Sequence, residues 1–246
     1  MDRLIYVGMT AAKHTMLQLA AVSQNLANIN TIGFKADVNM FSAVPVHGPG
    51  NPTREFVVNS LVGSDFSAGT IEHTGNPLDV AVVGDGWFTV KKPDGSEAYT
   101  RNGNFKIDTN GTLQTNSGLP VVGMDGGNIS IPPNTQVTIG QDGTVSTVQS
   151  GDMPMTLNIL GRIKLVNPPE NQLVKGPDNL FRMKNGKSVQ ADANVKVMSG
   201  SLESSNVNVV TSMIDMINLG RSYDMQMKLL QSADQNAQST SQLYNI

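Results

Sequence analysis

The sequence contains no cysteine. Disulfides, thiolate-bound metals, iron–sulfur clusters and a cysteine nucleophile are therefore excluded. Charge is scarce too: Asp, Glu, Lys and Arg make up 15% of the 246 residues, against about 25% in an average soluble protein. A formal net charge of −3 offers no bulk attraction to nucleic acid or to an anionic membrane surface. Aromatic residues are 5%, with a single tryptophan, Trp87, too few for a single-strand stacking platform. No run approaches the roughly 18 apolar residues of a membrane span, so no membrane insertion is expected. The run Leu4–Ala12 behind Arg3 imitates a secretory leader, but Lys13, His14, Gln18 and Gln24 break it. The expectation is an uncleaved amphipathic helix. In place of charge stand 24 glycines and abundant Ser, Thr and Asn. Such a surface suits contact with other protein.

Both ends of the chain read as helices. Ile5, Met9, Ala12, Met16, Leu19 and Leu26 fall on one seam, with Ser23 its polar occupant, a heptad rhythm rather than a strand alternation. The pattern stops at Asn28-Ile29-Asn30-Thr31-Ile32-Gly33, where Gly33 supplies a left-handed exit. Val209, Met213, Met216, Gly220, Tyr223, Met227 and Leu230 repeat the rhythm near the C-terminus, with Ile214 and Ile217 widening the apolar face. Many residues on these helices are Thr, Ser and Asn, mediocre helix formers, so packing must stabilise them.

Between the ends lies a strand-and-turn region. Pro93-Asp94-Gly95, Asn110-Gly111, Asp142-Gly143 and Asn185-Gly186 each separate two short β-type runs, which is hairpin chemistry. The expected architecture is α+β: paired N- and C-terminal heptad helices, a coiled-coil-like stalk, with an inserted, mainly antiparallel β domain. Residues 1–35 and 205–246 would form the helical domain, 36–75 an extended connector and 76–204 the β-rich outer domain.

No catalytic motif fits well. His14, His47 and His73 lack metal-ligand spacing. Gly84-Asp85-Gly86 is followed by Trp87 and Phe88, so it reads as a β-turn rather than a phosphate cradle. Counting back from Gly111 as the sixth position of a calcium loop puts Lys106 at the first. The carboxylates Asp65, Glu72, Asp79, Asp85 and Glu97 are few, and Asp85 stands between two glycines, as turn residues do. No catalytic residue, cofactor or metal is expected.

The block Asn25-Leu26-Ala27-Asn28-Ile29-Asn30-Thr31-Ile32-Gly33-Phe34-Lys35 resembles the N-terminal signature of bacterial flagellar rod and hook proteins. Thr74–Ala81 with Gly84–Phe88, Tyr99-Thr100-Arg101-Asn102-Gly103-Asn104-Phe105, and Gly200–Asn208 resemble three further blocks of that family, in the same order. Length, the opening Met1-Asp2 and Ala43-Val44-Pro45-Val46 look most like its proximal-rod members; distal-rod or hook siblings are the alternative, and a peptidoglycan-acting hydrolase a remote one. The resemblance implies a structural, non-enzymatic subunit. Its partners would be copies of itself and other rod proteins, and the flagellar type III export apparatus during secretion without a cleaved signal. Its place would be the rod in the periplasmic space. Ile5, Met9, Met16, Leu19, Leu26, Val209, Met213, Met216, Ile217, Tyr223, Met227 and Leu230 would form the helical subunit interface. Asn25, Asn28, Thr31, Gly33 and Phe34 would form the signature turn.

Overall fold

The computed structural model describes residues 2–45, 55–149 and 157–244. One helix stands at each end, α1 over Asp2–Ala27 and α2 over Val209–Tyr244. Between them run β1 Asp37–Pro45, β2 Glu55–Ser64, β3 Ile71–His73, β4 Val80–Val83, β5 Trp87–Lys91, β6 Glu97–Thr100, β7 Phe105–Ile107 and β8 Leu113–Thr115. Then follow β9 Thr135–Ile139, β10 Thr144–Gln149, β11 Asn158–Arg162, β12 Leu165–Val166, β13 Leu173–Lys175, β14 Phe181–Met183, β15 Lys196–Ser199 and β16 Ser201–Glu203. The class is α+β. The chain divides into two compact units: Met1–Ile29 with Ala36–Asp65 and Val207–Ile246, and Asn30–Lys35 with Phe66–Asn206.

The first unit combines the two helices with a hairpin. β1 and β2 pair antiparallel from Asp37 opposite Ser64 to Pro45 opposite Glu55, with a register shift between Met40 and Phe41. The hairpin falls inside the segment expected as an extended connector. It packs on α1, where the Asn39 amide donates to the Leu17 carbonyl at 3.3 Å and Phe41 meets His14 edge-on at 5.4 Å. Thr10 and Thr15 donate their hydroxyls to the carbonyls of Tyr6 and Ala11. These are the i−4 bonds that make such residues tolerable inside a helix.

The predicted stalk of paired heptad helices is overturned. α1 and α2 do touch: the Gln226 amide donates to Thr15 Oγ1 at 3.1 Å, and Leu230 reaches to within 2.8 Å of where a Cβ on Gly8 would stand. That contact does not run along the predicted seam. Met9 is 56% exposed, Met16 63%, Met213 49% and Ile217 56%, and among the described side chains of α1 only Ala12, the smallest residue of the predicted seam, and Thr15, which lies off it, are buried. The physical reason is that apolar residues surround both helices, Leu17, Ile214 and Leu229 among them. Small residues on α1 then decide where a second helix can approach closely.

The second unit is built from antiparallel strands. Its largest sheet has the order β12-β5-β6-β14-β13, a second the order β11-β10-β9, and three two-stranded pairs join β15 to β4, β16 to β3 and β7 to β8. Phe88, Phe105, Leu113, Val121, Ile163 and Val197 belong to its main core, and Trp87, Tyr99, Val166 and Phe181 to a second cluster. Three of the four turn signals lie between paired strands, β5–β6, β7–β8 and β9–β10. At the first of them Lys92 and Ser96 hold the Asp94 carboxyl well below the usual carboxylate range. The fourth does not make a hairpin. β14 pairs instead with β13 and β6, and the chain after Gly186 gives its Val189 amide to the Tyr99 hydroxyl at 3.0 Å.

Tyr99 is 1% exposed, and burial raises its pKa above the ordinary phenol value. Replacing it by Phe keeps the ring and leaves the Val189 N–H without its acceptor. Tyr99→Phe is expected to cost about 1–3 kcal/mol, read as a lower urea midpoint at unchanged slope.

Candidate functional site

The signature turn begins where α1 runs out of carbonyl partners. Asn28 closes the last turn twice, its N–H donating to Gln24 and Asn25 carbonyls at 3.2 and 3.1 Å and its side-chain amide to Gln24 O at 2.9 Å. Asn25 clamps the start of β1 with both ends of its amide: Nδ2 donates to Asp37 O at 2.9 Å, and Oδ1 accepts from Asp37 N at 2.8 Å. A carboxamide is needed there because only it offers a donor and an acceptor side by side.

Gly33 has φ +66°, and its N–H donates to the Glu203 carbonyl at 2.8 Å. A Cβ on it would lie 2.4 Å from the Arg101 carbonyl carbon. Both the left-handed dihedral and the close approach demand glycine. Phe34 follows, 3% exposed, its N–H on the Thr31 carbonyl at 3.2 Å, and Lys175 Nζ stands 3.7 Å from its ring centre, a cation–π contact.

Lys35 is the centre of gravity of this turn. Its side chain is fully buried, with Nζ donating to Glu203 Oε1 at 2.8 Å and to Ser67 O at 2.7 Å. The other carboxylate oxygen of Glu203 takes Arg101 NH1 at 3.0 Å, and Gly69 N donates to Oε1 at 3.0 Å. Arg101 NH2 donates to Gly84 O at 2.8 Å. Asn206 adds its backbone N–H to Phe34 O at 3.3 Å and its amide to Ser67 O at 3.2 Å. Three stretches far apart in sequence, 33–35, 66–69 and 203–206, are thus tied to one buried carboxylate.

The residues expected at a helical interface are dispersed. Ile5 lies in α1, but its side chain is outside the described residues. Met9, Met16, Val209, Met213, Ile217 and Met227 are exposed, while Leu19, Leu26, Met216, Tyr223 and Leu230 are half-buried. Val210, at 67%, is the most exposed of the large apolar residues that start α2. Open space surrounds Gly220, so no close backbone among the described residues explains a glycine there. Sequence reasoning missed the charges of the knot. Lys35, Arg101 and Glu203 all stand inside the quoted family blocks, and the available signal was a charged residue embedded among Gly, Asn and aromatic neighbours.

Comparison with known proteins gives a consistent picture. Residues 5–35 match the flagella basal body rod protein family, 81–147 the flagellar hook protein FlgE/F/G D1 domain, and 193–243 the flagellar basal body rod FlgEFG protein C-terminal family. The chain is 44% identical to flagellar basal-body rod protein FlgF of Escherichia coli and 42% to that of Salmonella typhimurium, in each case over the whole of both chains. Flagellar basal-body rod protein FlgG of Bacillus subtilis is 33% identical over 96% of each chain.

Two outcomes test the knot. Gly33→Ala is expected to destabilise the second unit by several times more than Gly75→Ala. Gly75 also has positive φ (+75°) but open space around its Cβ position, so it reports the dihedral cost alone, about 1–2 kcal/mol. Glu203→Gln leaves two buried cations facing a neutral amide and is expected to cost about 3–5 kcal/mol. Chemical denaturation read by Trp87 fluorescence checks both.

Proposed function

From the premise that the chain belongs to the flagellar basal-body rod protein family, with relatives alike along its whole length, we propose that it is a proximal-type rod subunit that assembles through its helical unit. The structural role in the rod is the family's. Identity of 44% and 42% to FlgF of Escherichia coli and Salmonella typhimurium, against 33% to FlgG of Bacillus subtilis, supports the proximal assignment over the distal one. The subunit is non-catalytic on this reading, and its partners are its own copies and the other rod proteins. It passes the flagellar export apparatus and joins the rod in the periplasmic space; the Asn25–Lys35 signature supports this by resemblance.

The observation that carries assembly through the helices is exposure. Val209, Val210, Met213, Ile214 and Ile217 put a run of large apolar side chains into solvent over the first turns of α2. A contiguous apolar patch of that kind marks an interaction site. Covering it removes apolar area from water at about 25 cal/mol per Å², and a shaft that transmits torque needs such contacts with several neighbours at once.

Ile217 is the test position, because it is 56% exposed and its loss leaves no cavity. Ile217→Asp is expected to yield folded subunit whose stability changes by no more than about 0.5 kcal/mol. Cells carrying it build no rod beyond this subunit and do not swim. Gln136→Asp, an exposed position on β9, controls for added charge. Normal swimming by Ile217→Asp cells rejects assembly through this face.

A further inference from the structure

Methionine is among the residues most often buried, yet the helices hold several of theirs in solvent. Met9 and Met16 of α1 are 56% and 63% exposed, and Met213 and Met225 of α2 are 49% and 65% exposed. Met9 and Met16 are seven residues apart, so they lie on one face, two turns from each other. Met213 stands among Val210, Ile214 and Ile217, the exposed apolar run that opens α2. Met216, inside the same run, is half-buried. The chain has no cysteine, and its single tryptophan, Trp87, is buried. A thioether standing in solvent is therefore the side chain that a peroxide oxidises first.

We propose that Met9, Met16, Met213 and Met225 form an oxidation site: their conversion to sulfoxide in the free subunit bars it from the rod, and burial in the rod shields them. Hydrogen peroxide supplies the oxygen. A sulfur lone pair attacks one peroxide oxygen, and the O–O bond breaks. The departing hydroxide takes the proton from the new sulfur-bound hydroxyl. One sulfoxide and one water result, a two-electron oxidation of the sulfur at the expense of the peroxide. The change replaces a flexible apolar tip by a polar S–O group. In solvent that group is hydrated. On an apolar docking face it is stripped of water with no donor to meet it, which is unfavourable. The subunit's own fold is spared, because these side chains stand in solvent rather than in a core. Sulfoxide reductases return the thioether, so the block is reversible. The inference rests on the rod-subunit reading and on assembly through the helical unit.

Peptide mass spectrometry after one peroxide dose compares the purified full chain with isolated basal bodies. In the free chain Met9, Met16, Met213 and Met225 are expected to oxidise faster than half-buried Met216. In basal bodies their oxidation falls about tenfold or more, as exposure is lost. Swimming is the second readout. In cells lacking the chain, synthesis of the wild-type chain or of a variant with all four changed to Leu is switched on under sublethal peroxide. Leu keeps the volume and apolar character and removes the sulfur. The fraction of cells regaining swimming is expected to fall about tenfold with the wild-type chain, the effect of an unpaired polar group at a contact, and to hold with the variant. Met124→Leu, at a position of the second unit that is 58% exposed, stays as sensitive as wild type. Should the fourfold variant not swim without peroxide, the pairs Met9→Leu with Met16→Leu and Met213→Leu with Met225→Leu are scored in its place. Equal sensitivity of wild type and Leu variants overturns the proposal, and so does protection by Met124→Leu alone. Oxidation as fast in basal bodies as in the free chain overturns it too, and leaves membership of the rod standing. Absence of the chain from basal bodies overturns the rod reading, and the oxidation site with it.

Discussion

Glu203 offers two carboxylate oxygens, and each meets a buried cation, Lys35 on one side and Arg101 on the other. Three charges removed from water carry a desolvation cost that only good geometry and further hydrogen bonds offset. Here the Gly69 amide, the Ser67 carbonyl and the Gly84 carbonyl supply those bonds. The consequence is positional. The chain leaves the second unit after Lys35, re-enters at Phe66 and leaves again after Asn206, and all three places are bonded to one another around that carboxylate. Gly33 belongs to the same constraint, since its N–H on the Glu203 carbonyl and the Arg101 backbone beside it leave no room for a side chain. Well-packed apolar residues in place of such a triad hold as firmly, but they do not specify which of several strands must meet there, and directional ion pairs do.

The helical unit follows a different logic. Its internal contacts bring small and polar residues, Gly8, Thr15 and Gln226, against half-buried ones such as Leu230, while large apolar residues such as Met9, Met16, Val210 and Ile217 stand in solvent. A chain selected only for its own stability would bury the larger side chains first, because each is worth about 1.5–3 kcal/mol when removed from water. The inversion is intelligible for a subunit that completes its burial in an assembly. The low charge fits the same proposal, because ion pairs on surfaces that meet other protein would have to be desolvated. The two units therefore divide the work, one with a finished core and buried ion pairs, the other with unfinished apolar faces.

Much of this was legible without coordinates. The turn dipeptides at Asp94-Gly95, Asn110-Gly111 and Asp142-Gly143 marked real hairpins because their φ > 0 glycines, at +83°, +79° and +85°, are local requirements that any fold must honour. The exit from α1 at Gly33 was legible for the same reason. Family membership was readable in the ordered blocks from Asn25 to Asn208. Asn185-Gly186 misled, because whether a turn becomes a hairpin depends on what the following residues find, and Val189 found Tyr99.

The sequence by itself determined the α+β class, the positions of both helices, most of the turns and the family, since each depends on local backbone preference or on a contiguous motif. The tertiary structure alone decided which helix faces touch, because apolar residues encircle both helices and periodicity cannot choose among several seams. It alone decided that Lys35, Arg101 and Glu203 share one buried knot, and that the Arg101 Nε is left facing no acceptor beside Trp87. Those residues are separated by 66 to 168 positions, and an ion pair at that separation leaves no periodic trace in the chain. Only the packing of β16 against the turn after α1 brings the charges within reach of each other.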